Sequence, residues 1–123
     1  MYSEKLLPSM WRDALEDLTT SNEGGEITIE VIRDDLGDQR LADAMPFVYV
    51  EYDPHDDTAS VAVSQKTPFD EVLVRHVVEH PRDIYVARSE RSGPSLEMNS
   101  ADGTTTIVTF LPRHQLPGAS LPS

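Results

Sequence analysis

The spacing of apolar residues changes near residue 25, and this change constrains the fold more than any other feature of the sequence. Before it, apolar residues recur at intervals of four, four and three, a pattern formed by Leu7, Trp11, Leu15 and Leu18. Such spacing predicts a helix with one apolar stripe. After residue 25 apolar and polar residues alternate, first over residues 27–32, which predicts strands. The chain is therefore expected to be an α+β protein with one N-terminal helix.

The predicted helix has recognisable ends. Pro8 suits a first helical turn, because its missing N–H would have no intrahelical partner there. The pair Gly24-Gly25 ends the helix, since glycine accepts the left-handed backbone that a helix exit requires. We expect Trp11 to anchor this helix on a sheet rather than to contact a ligand.

Turn signals divide the rest of the chain into short strands. Strands are predicted at residues 39–44, 47–52, 59–63, 84–87, 96–98 and 104–111. Turns are predicted at residues 34–38 and 53–57, and a hairpin loop at residues 99–103. We predict a mostly antiparallel, strongly twisted sheet of about six to eight strands, with the helix over one face or end. The alternative is that the same strands close into a small barrel.

Residues 67–80 admit two interpretations. Thr67 and Pro68, followed by acidic residues, resemble the start of a helix. Four valines within residues 72–78 favour a strand instead, because β-branched side chains are restricted in a helix and fit a pleated sheet. We adopt the strand interpretation.

The length of 123 residues is ordinary for one domain. Residues 1–111 are predicted to form a single α+β domain. Residues 112–123 are rich in Pro, Gly and Ser, so a flexible C-terminal tail is predicted there.

The charge of the chain excludes some classes of partner. Asp and Glu number 22 against 10 Lys and Arg, which gives a formal net charge of −12. The basic residues are scattered singly, whereas phosphate backbones require clustered positive charge. We therefore predict no binding to nucleic acid and none to an anionic membrane. The acidity either keeps the protein dispersed, as in a salty cytoplasm, or provides a surface for a basic partner.

The composition also bears on the compartment. The chain has no cysteine, hence no disulfide framework, thiolate metal site or cysteine nucleophile. No apolar run approaches the roughly 20 residues that span a bilayer, and the N-terminus lacks the pattern of a secretory signal. A cytoplasmic location is the simplest expectation.

Residues 76–80 match the H-x-x-E-H pattern of inverted zinc peptidases, with His76 and His80 as ligands and Glu79 activating water. This mechanism requires a helix and a third ligand, for which His55 or Asp57 are candidates. On a strand, however, the two histidines would lie roughly 13 Å apart, too far for one ion. We expect His76 to be a half-buried strand residue that is hydrogen-bonded to a neighbour.

Other chemical motifs are weaker. The turn at residues 53–57 gathers three carboxylates and His55, but its spacing fits a solvated turn better than a calcium loop. The chain contains no glycine-rich phosphate loop and no nucleophile elbow, so no cofactor and no catalytic residue are predicted. Tyr49 and Tyr52 could line a small-molecule pocket inside a barrel, although aromatic residues in strands usually pack in the core.

Several short landmarks occur along almost the whole domain in a characteristic order. They are Pro8 with Trp11, Ile29-Glu30-Val31, Leu36-Gly37-Asp38-Gln39, Tyr52-Asp53 with Asp56-Asp57, His76 before Pro81, and residues 100–105. In this order the chain resembles a family of small bacterial proteins classified only as a domain of unknown function. The resemblance implies a stand-alone bacterial protein of this length, and it implies no activity, cofactor or catalytic residue.

The sequence thus leaves the function unknown, with one hypothesis ahead of two others. The first is a non-enzymatic interaction or regulatory domain that binds a protein partner through a sheet face, an edge strand or the acidic surface. An unpaired edge strand would also permit a homodimer. The alternatives are a metal-dependent hydrolase centred on His76, Glu79 and His80, and a small-molecule-binding β-barrel.

Overall fold

The computed structural model describes residues 2–66, 70–89 and 93–112. The helix start considered at Thr67 and Pro68, and the tail from residue 113 onward, lie outside these ranges. The elements in chain order are β1 (Tyr2–Lys5), a 3₁₀ helix (Pro8–Met10), α1 (Trp11–Ser21), β2 (Glu26–Arg33), β3 (Gly37–Asp53), β4 (Thr58–Lys66), β5 (Glu71–Glu79), β6 (Pro81–Arg88), β7 (Ser95–Ser100) and β8 (Thr105–Phe110).

The eight strands form one antiparallel sheet in the order β1-β6-β7-β8-β2-β3-β4-β5. The predicted α+β class with a mostly antiparallel sheet is confirmed. The barrel alternative is wrong, because β1 and β5 lie at opposite ends of this order and do not pair with each other in the described ranges. The sheet is open and curled.

The curl arises in β3, which changes partner along its length. Its first half pairs with β2, from Gly37 to Pro46, and its second half pairs with β4, from Phe47 to Asp53. The sequence predicted two separate strands here because Pro46 cannot donate to a ladder. Pro46 lies where one ladder ends and the other begins, so the strand continues through it. Ala44, with φ 53°, marks the bend.

Helix α1 packs against β3 and contributes to the core of the molecule. Its buried residues Trp11, Leu15 and Leu18 belong to one core with apolar side chains from most strands of the sheet. The Trp11 ring meets the Tyr52 ring edge-on, with centroids 5.2 Å apart and planes at 88°. The prediction that Trp11 anchors the helix is therefore confirmed.

The start of the helical stripe is shifted by one residue from the prediction. Leu7 is 64% exposed, whereas Leu6 is 6% exposed. The α-helix begins only at Trp11, after the 3₁₀ turn, so Leu7 does not share the face of Leu15. Leu6 instead follows β1, and its N–H donates to the Ile84 carbonyl at 2.8 Å. Strand β1 itself was not predicted.

A single hydroxyl joins α1 to the second half of β3. The Thr19 hydroxyl donates to the Val50 carbonyl at 2.7 Å and accepts from the Val50 N–H at 2.9 Å. Val50 pairs with β4 on its other side, where its register partner is Val61. Helix α1 therefore covers the edge of β3 that β2 leaves free.

The strand interpretation of residues 72–78 is confirmed, since they lie within β5.

The described part of the chain contains no helix that is long and apolar enough to cross a membrane.

Candidate functional site

Strand β5 lies at one end of the sheet that the described residues form, and it pairs with β4. Its nine residues pair with β4 without interruption, from Glu71 opposite Lys66 to Glu79 opposite Thr58. On its other side no strand of the described residues pairs with it. The outward N–H and C=O groups of β5 are therefore placed to pair with an added strand.

The apolar side chains of β5 are exposed on both faces of the strand. Leu73 is 54% exposed, Val72 44%, Val74 41% and Val77 39%. Because side chains alternate along a strand, Leu73 and Val77 lie on one face, and Val72 and Val74 on the other. Val78 alone is buried in the core, at 2% exposed. We call residues 71–77 of β5 the β5 edge surface.

The opposite edge of the sheet is different. Strand β1 has only four residues, and its Lys5 forms an ion pair with Asp83 of β6 at 3.2 Å. Short edge strands that carry a charged lysine resist the addition of further strands. Between these two terminal strands of the sheet, β5 rather than β1 combines length, an edge without a partner among the described strands and exposed apolar side chains.

Two charged residues lie within the β5 edge surface, on the same face as Leu73. Glu71 accepts a hydrogen bond from the Ser64 hydroxyl of β4. Arg75 is exposed and forms no ion pair with any described residue. The nearest acidic residues on the same face of β5, Glu71 and Glu79, are each four positions away, roughly 13 Å along the strand. An arginine that has no ion pair within the described ranges thus lies beside apolar side chains in a strongly acidic protein.

A polar cleft adjoins the inner face of β5. Its volume is about 220 Å³, and residues 76–79 line it together with Arg33 from the end of β2 and with residues of the β7–β8 hairpin. Asp102, at the tip of that hairpin, accepts a hydrogen bond from the Thr104 N–H at 2.9 Å. This bond is the main cause that lowers the pKa of Asp102. The cleft therefore carries charges of both signs around an open, polar space.

His76 lies on the wall of this cleft. The expectation of a half-buried, hydrogen-bonded strand residue is confirmed, because its Nε2 is 3.1 Å from the Thr106 hydroxyl of β8. Burial, with the positive charge of Arg33 as a smaller cause, lowers the pKa of His76 below its usual 6.5. Thr106 is fully buried. A nucleophile must be accessible to its substrate, and the buried Thr106 hydroxyl is not. The hydrogen bond between His76 and Thr106 therefore serves as a structural link between β5 and β8.

Two of the predicted metal ligands, Asp57 and His80, contact each other in a hydrogen-bonded group that also contains Tyr52. We call these three residues the clasp. Asp57 accepts a hydrogen bond from the Tyr52 hydroxyl at 2.7 Å, and its other oxygen lies 3.2 Å from His80 Nδ1. Burial is the largest cause that raises the pKa of Tyr52 to about 12, and the hydrogen bond to Asp57 is the second. The hydrogen bonds from Tyr52 and His80 lower the pKa of Asp57. The clasp joins the β3–β4 turn to the end of β5.

The other candidate ligands lie apart from this clasp. His55 is exposed in the β3–β4 turn, where its N–H donates to the Asp53 side chain at 2.9 Å. Glu79 is exposed and lies on the opposite face of β5 from His76. No three His, Asp or Glu side chains within the described ranges are grouped to hold a metal ion. The helix that the hydrolase hypothesis requires is not formed, since His76 and Glu79 belong to β5 and His80 directly follows this strand.

The aromatic pocket considered for a small molecule is not formed by Tyr52, because this side chain packs against Trp11 in the core.

The sequence did not identify Arg75, Leu73 or Arg33 as site residues. One signal was present: residues 72–78 are apolar on both faces of a strand, while a strand with one buried face alternates. Apolar side chains on both faces are typical of a buried strand, and they also fit an edge strand that is covered when a partner binds.

The fold and the β5 edge surface define the chain as a small α+β protein with an open, curled antiparallel sheet and one long exposed edge. The chain belongs to a family of unknown function, DUF5335, whose model matches residues 2–119. It is 24% identical over 117 residues to an uncharacterized protein of Aquifex aeolicus strain VF5, an alignment that covers 95% of this chain and 99% of that protein. No solved structure is significantly similar to it. The resemblance to a bacterial family of unknown function is thus confirmed.

Proposed function

We propose that this protein is a non-enzymatic interaction domain that binds a polypeptide by adding one of its strands to β5. The observation that carries the proposal is the β5 edge surface, residues 71–77 of a nine-residue edge strand, in which the apolar side chains are 39–54% exposed. Addition of a strand would satisfy the outward backbone groups of β5 and cover these side chains. Backbone pairing supplies affinity, and the side chains on both faces supply selectivity.

The rest of the molecule supports a binding role over a catalytic one. Thr106, the hydroxyl beside His76, is buried, and Asp57 and His80 are held in the clasp with Tyr52. The His76–Thr106 bond links β5 to β8, and the clasp links the end of β5 to the β3–β4 turn, so both hold β5 in place. A rigid strand loses little conformational entropy when a partner pairs with it.

The experiment is site-specific photo-cross-linking of the full chain in the cells that produce it. A photo-reactive phenylalanine derivative replaces Leu73, and in a matched control it replaces Leu36, which is 55% exposed in the β2–β3 turn. We expect covalent adducts of defined mass from position 73 and none from position 36. Equal yields at the two positions would refute a role for the β5 edge.

The location of the protein follows as a second, smaller proposal. A chain without cysteine is compatible with the reducing cytoplasm, and its net charge of −12 with scattered basic residues disfavours nucleic acid and anionic membranes as partners. Fractionation of the cells should recover the chain in the cytoplasmic fraction. Recovery with the membrane or the nucleoid would contradict this proposal.

A further inference from the structure

We propose that the strand added to β5 is β5 of a second copy of this chain, paired antiparallel about a two-fold axis at Leu73. This inference rests on the proposed function and names the partner. In this register Leu73 faces Leu73 of the other copy, and Val72 faces Val74 in both directions. The three most exposed apolar residues of β5 are thereby covered.

Charge complementarity supports this register. Arg75 lies four positions after Glu71, with Leu73 midway between them, so an axis at Leu73 places Glu71 of each copy directly opposite Arg75 of the other. Opposite charges facing each other across an antiparallel pair are favourable, and here they occur twice. Arg75, which has no ion pair among the residues that the structure describes, gains a partner in the dimer.

Neighbouring registers leave more of the charged and apolar side chains of β5 without a favourable partner in the other copy. An axis at Arg75 would place Arg75 opposite Arg75 and Glu71 opposite Glu79, which are like-charge pairs and unfavourable. An axis at Val77 would pair Arg75 with Glu79 but would leave Val72 and Leu73 outside the ladder. It would also bring the seam to His80, where φ is 50° and the chain leaves β5. The axis at Leu73 has neither defect.

An interface made by one strand from each copy is small, and both copies carry a charge of −12, so the dimer should be weak and favoured by salt. The test is sedimentation velocity of the full chain between about 2 and 400 μM at about 0.15 M salt, a range that covers micromolar association. We expect a concentration-dependent shift from a mass of 13.7 kDa to twice that mass.

Charge reversal identifies the register. Arg75→Glu should raise Kd at least tenfold, roughly the effect of two unfavourable facing pairs. Adding Glu71→Arg to that variant restores opposite charges and should return Kd to within about threefold of the original value. Arg12→Glu, which makes the same change in net charge on the exposed face of α1, should raise Kd much less than Arg75→Glu does, because it adds only to the general repulsion between the copies. Circular dichroism melts establish that each variant is folded.

Each contrary result overturns a distinct part of the inference. A chain that stays monomeric over the whole range, or an Arg75→Glu variant that associates normally, refutes the β5 dimer. Rescue by Glu79→Arg instead of Glu71→Arg refutes the axis at Leu73. If position 73 cross-links to a protein of another mass, or within one chain to residues 113–123, the second copy is not the occupant. If position 73 cross-links to a protein of another mass, the proposed function stands although the dimer does not. If position 73 gives no intermolecular adducts at all, both the dimer and the proposed function are refuted.

Discussion

At the scale of single residues, Thr19 is the side chain whose contribution is most sharply defined. Replacing Thr19 with Val keeps its shape but leaves the N–H and C=O of Val50 without the hydroxyl partner they have now. Unpaired backbone groups in such a position cost about 1–3 kcal/mol, so Thr19→Val should lower the free energy of unfolding by that amount. Urea denaturation followed by Trp11 fluorescence measures the change.

Thr20→Val is the matched control for this prediction. The Thr20 hydroxyl is exposed and bonds only the Glu16 carbonyl one turn earlier, at 3.2 Å. Its loss should change the free energy of unfolding by less than about 0.5 kcal/mol. Equal effects of the two substitutions would mean that Thr19 does not hold α1 to β3.

His76 gives the protein a predictable response to pH. Because burial lowers its pKa in the folded state, the unfolded chain binds more protons in the window just below pH 6.5. The stabilisation is complete above that pH and is lost as the pH falls through the lowered value. We expect the free energy of unfolding to be smaller at about pH 5.5 than at about pH 7.5. His76→Gln should reduce this difference, whereas His55→Gln, in an exposed turn, should preserve it.

At the scale of elements, the junction between β1 and α1 tests the corrected start of the apolar stripe. Leu6 is buried beneath Trp11, whose indole N–H donates to the Leu6 carbonyl at 3.3 Å, while Leu7 points to solvent. Leu6→Ala should therefore lower the free energy of unfolding by about 2–4 kcal/mol. Leu7→Ala should change it by no more than about 0.5 kcal/mol. Thermal or urea unfolding of the two variants under identical conditions gives the comparison, and the reverse order would restore the stripe read from the sequence.

The elements also show which parts of the fold the sequence could specify. Residues 27–32 and 72–78 were assigned to strands correctly, because β-branched side chains favour a strand locally. Strand β1 has only four residues and depends on its ladder with β6, a contact some eighty positions away that no local pattern encodes. The continuity of β3 through Pro46 likewise depends on which strand is next to it. At the site, the bond of His76 was expected, but its partner Thr106 lies thirty residues along the chain.

At the scale of the whole molecule, the net charge of −12 should make stability depend on salt. Among the residues that the structure describes, Lys5 and Arg40 form the only ion pairs between Lys or Arg and a carboxylate. The 22 Asp and Glu of the chain outnumber its 10 Lys and Arg, so repulsion between acidic side chains dominates. Raising the salt concentration from about 0.01 to 0.15 M shortens the screening length from about 30 to 8 Å, which relieves this repulsion. We therefore expect Tm to rise with sodium chloride over this range. A rise of about 4 °C would correspond to roughly 1 kcal/mol for a chain of this length.

Neutralising part of the charge separates this repulsion from other effects of salt. Glu51 and Asp56 are both exposed near the β3–β4 turn, beside Asp53 and Asp57. A Glu51→Gln/Asp56→Asn variant should have a higher Tm than the original chain at low salt and a smaller rise on adding salt, because less repulsion is left to screen. Calorimetry at low protein concentration avoids any contribution from dimerisation, which salt would also favour. A fall in Tm with salt, or an unchanged slope in the variant, would show that the acidic surface does not oppose folding and would leave its role to be sought in a basic partner.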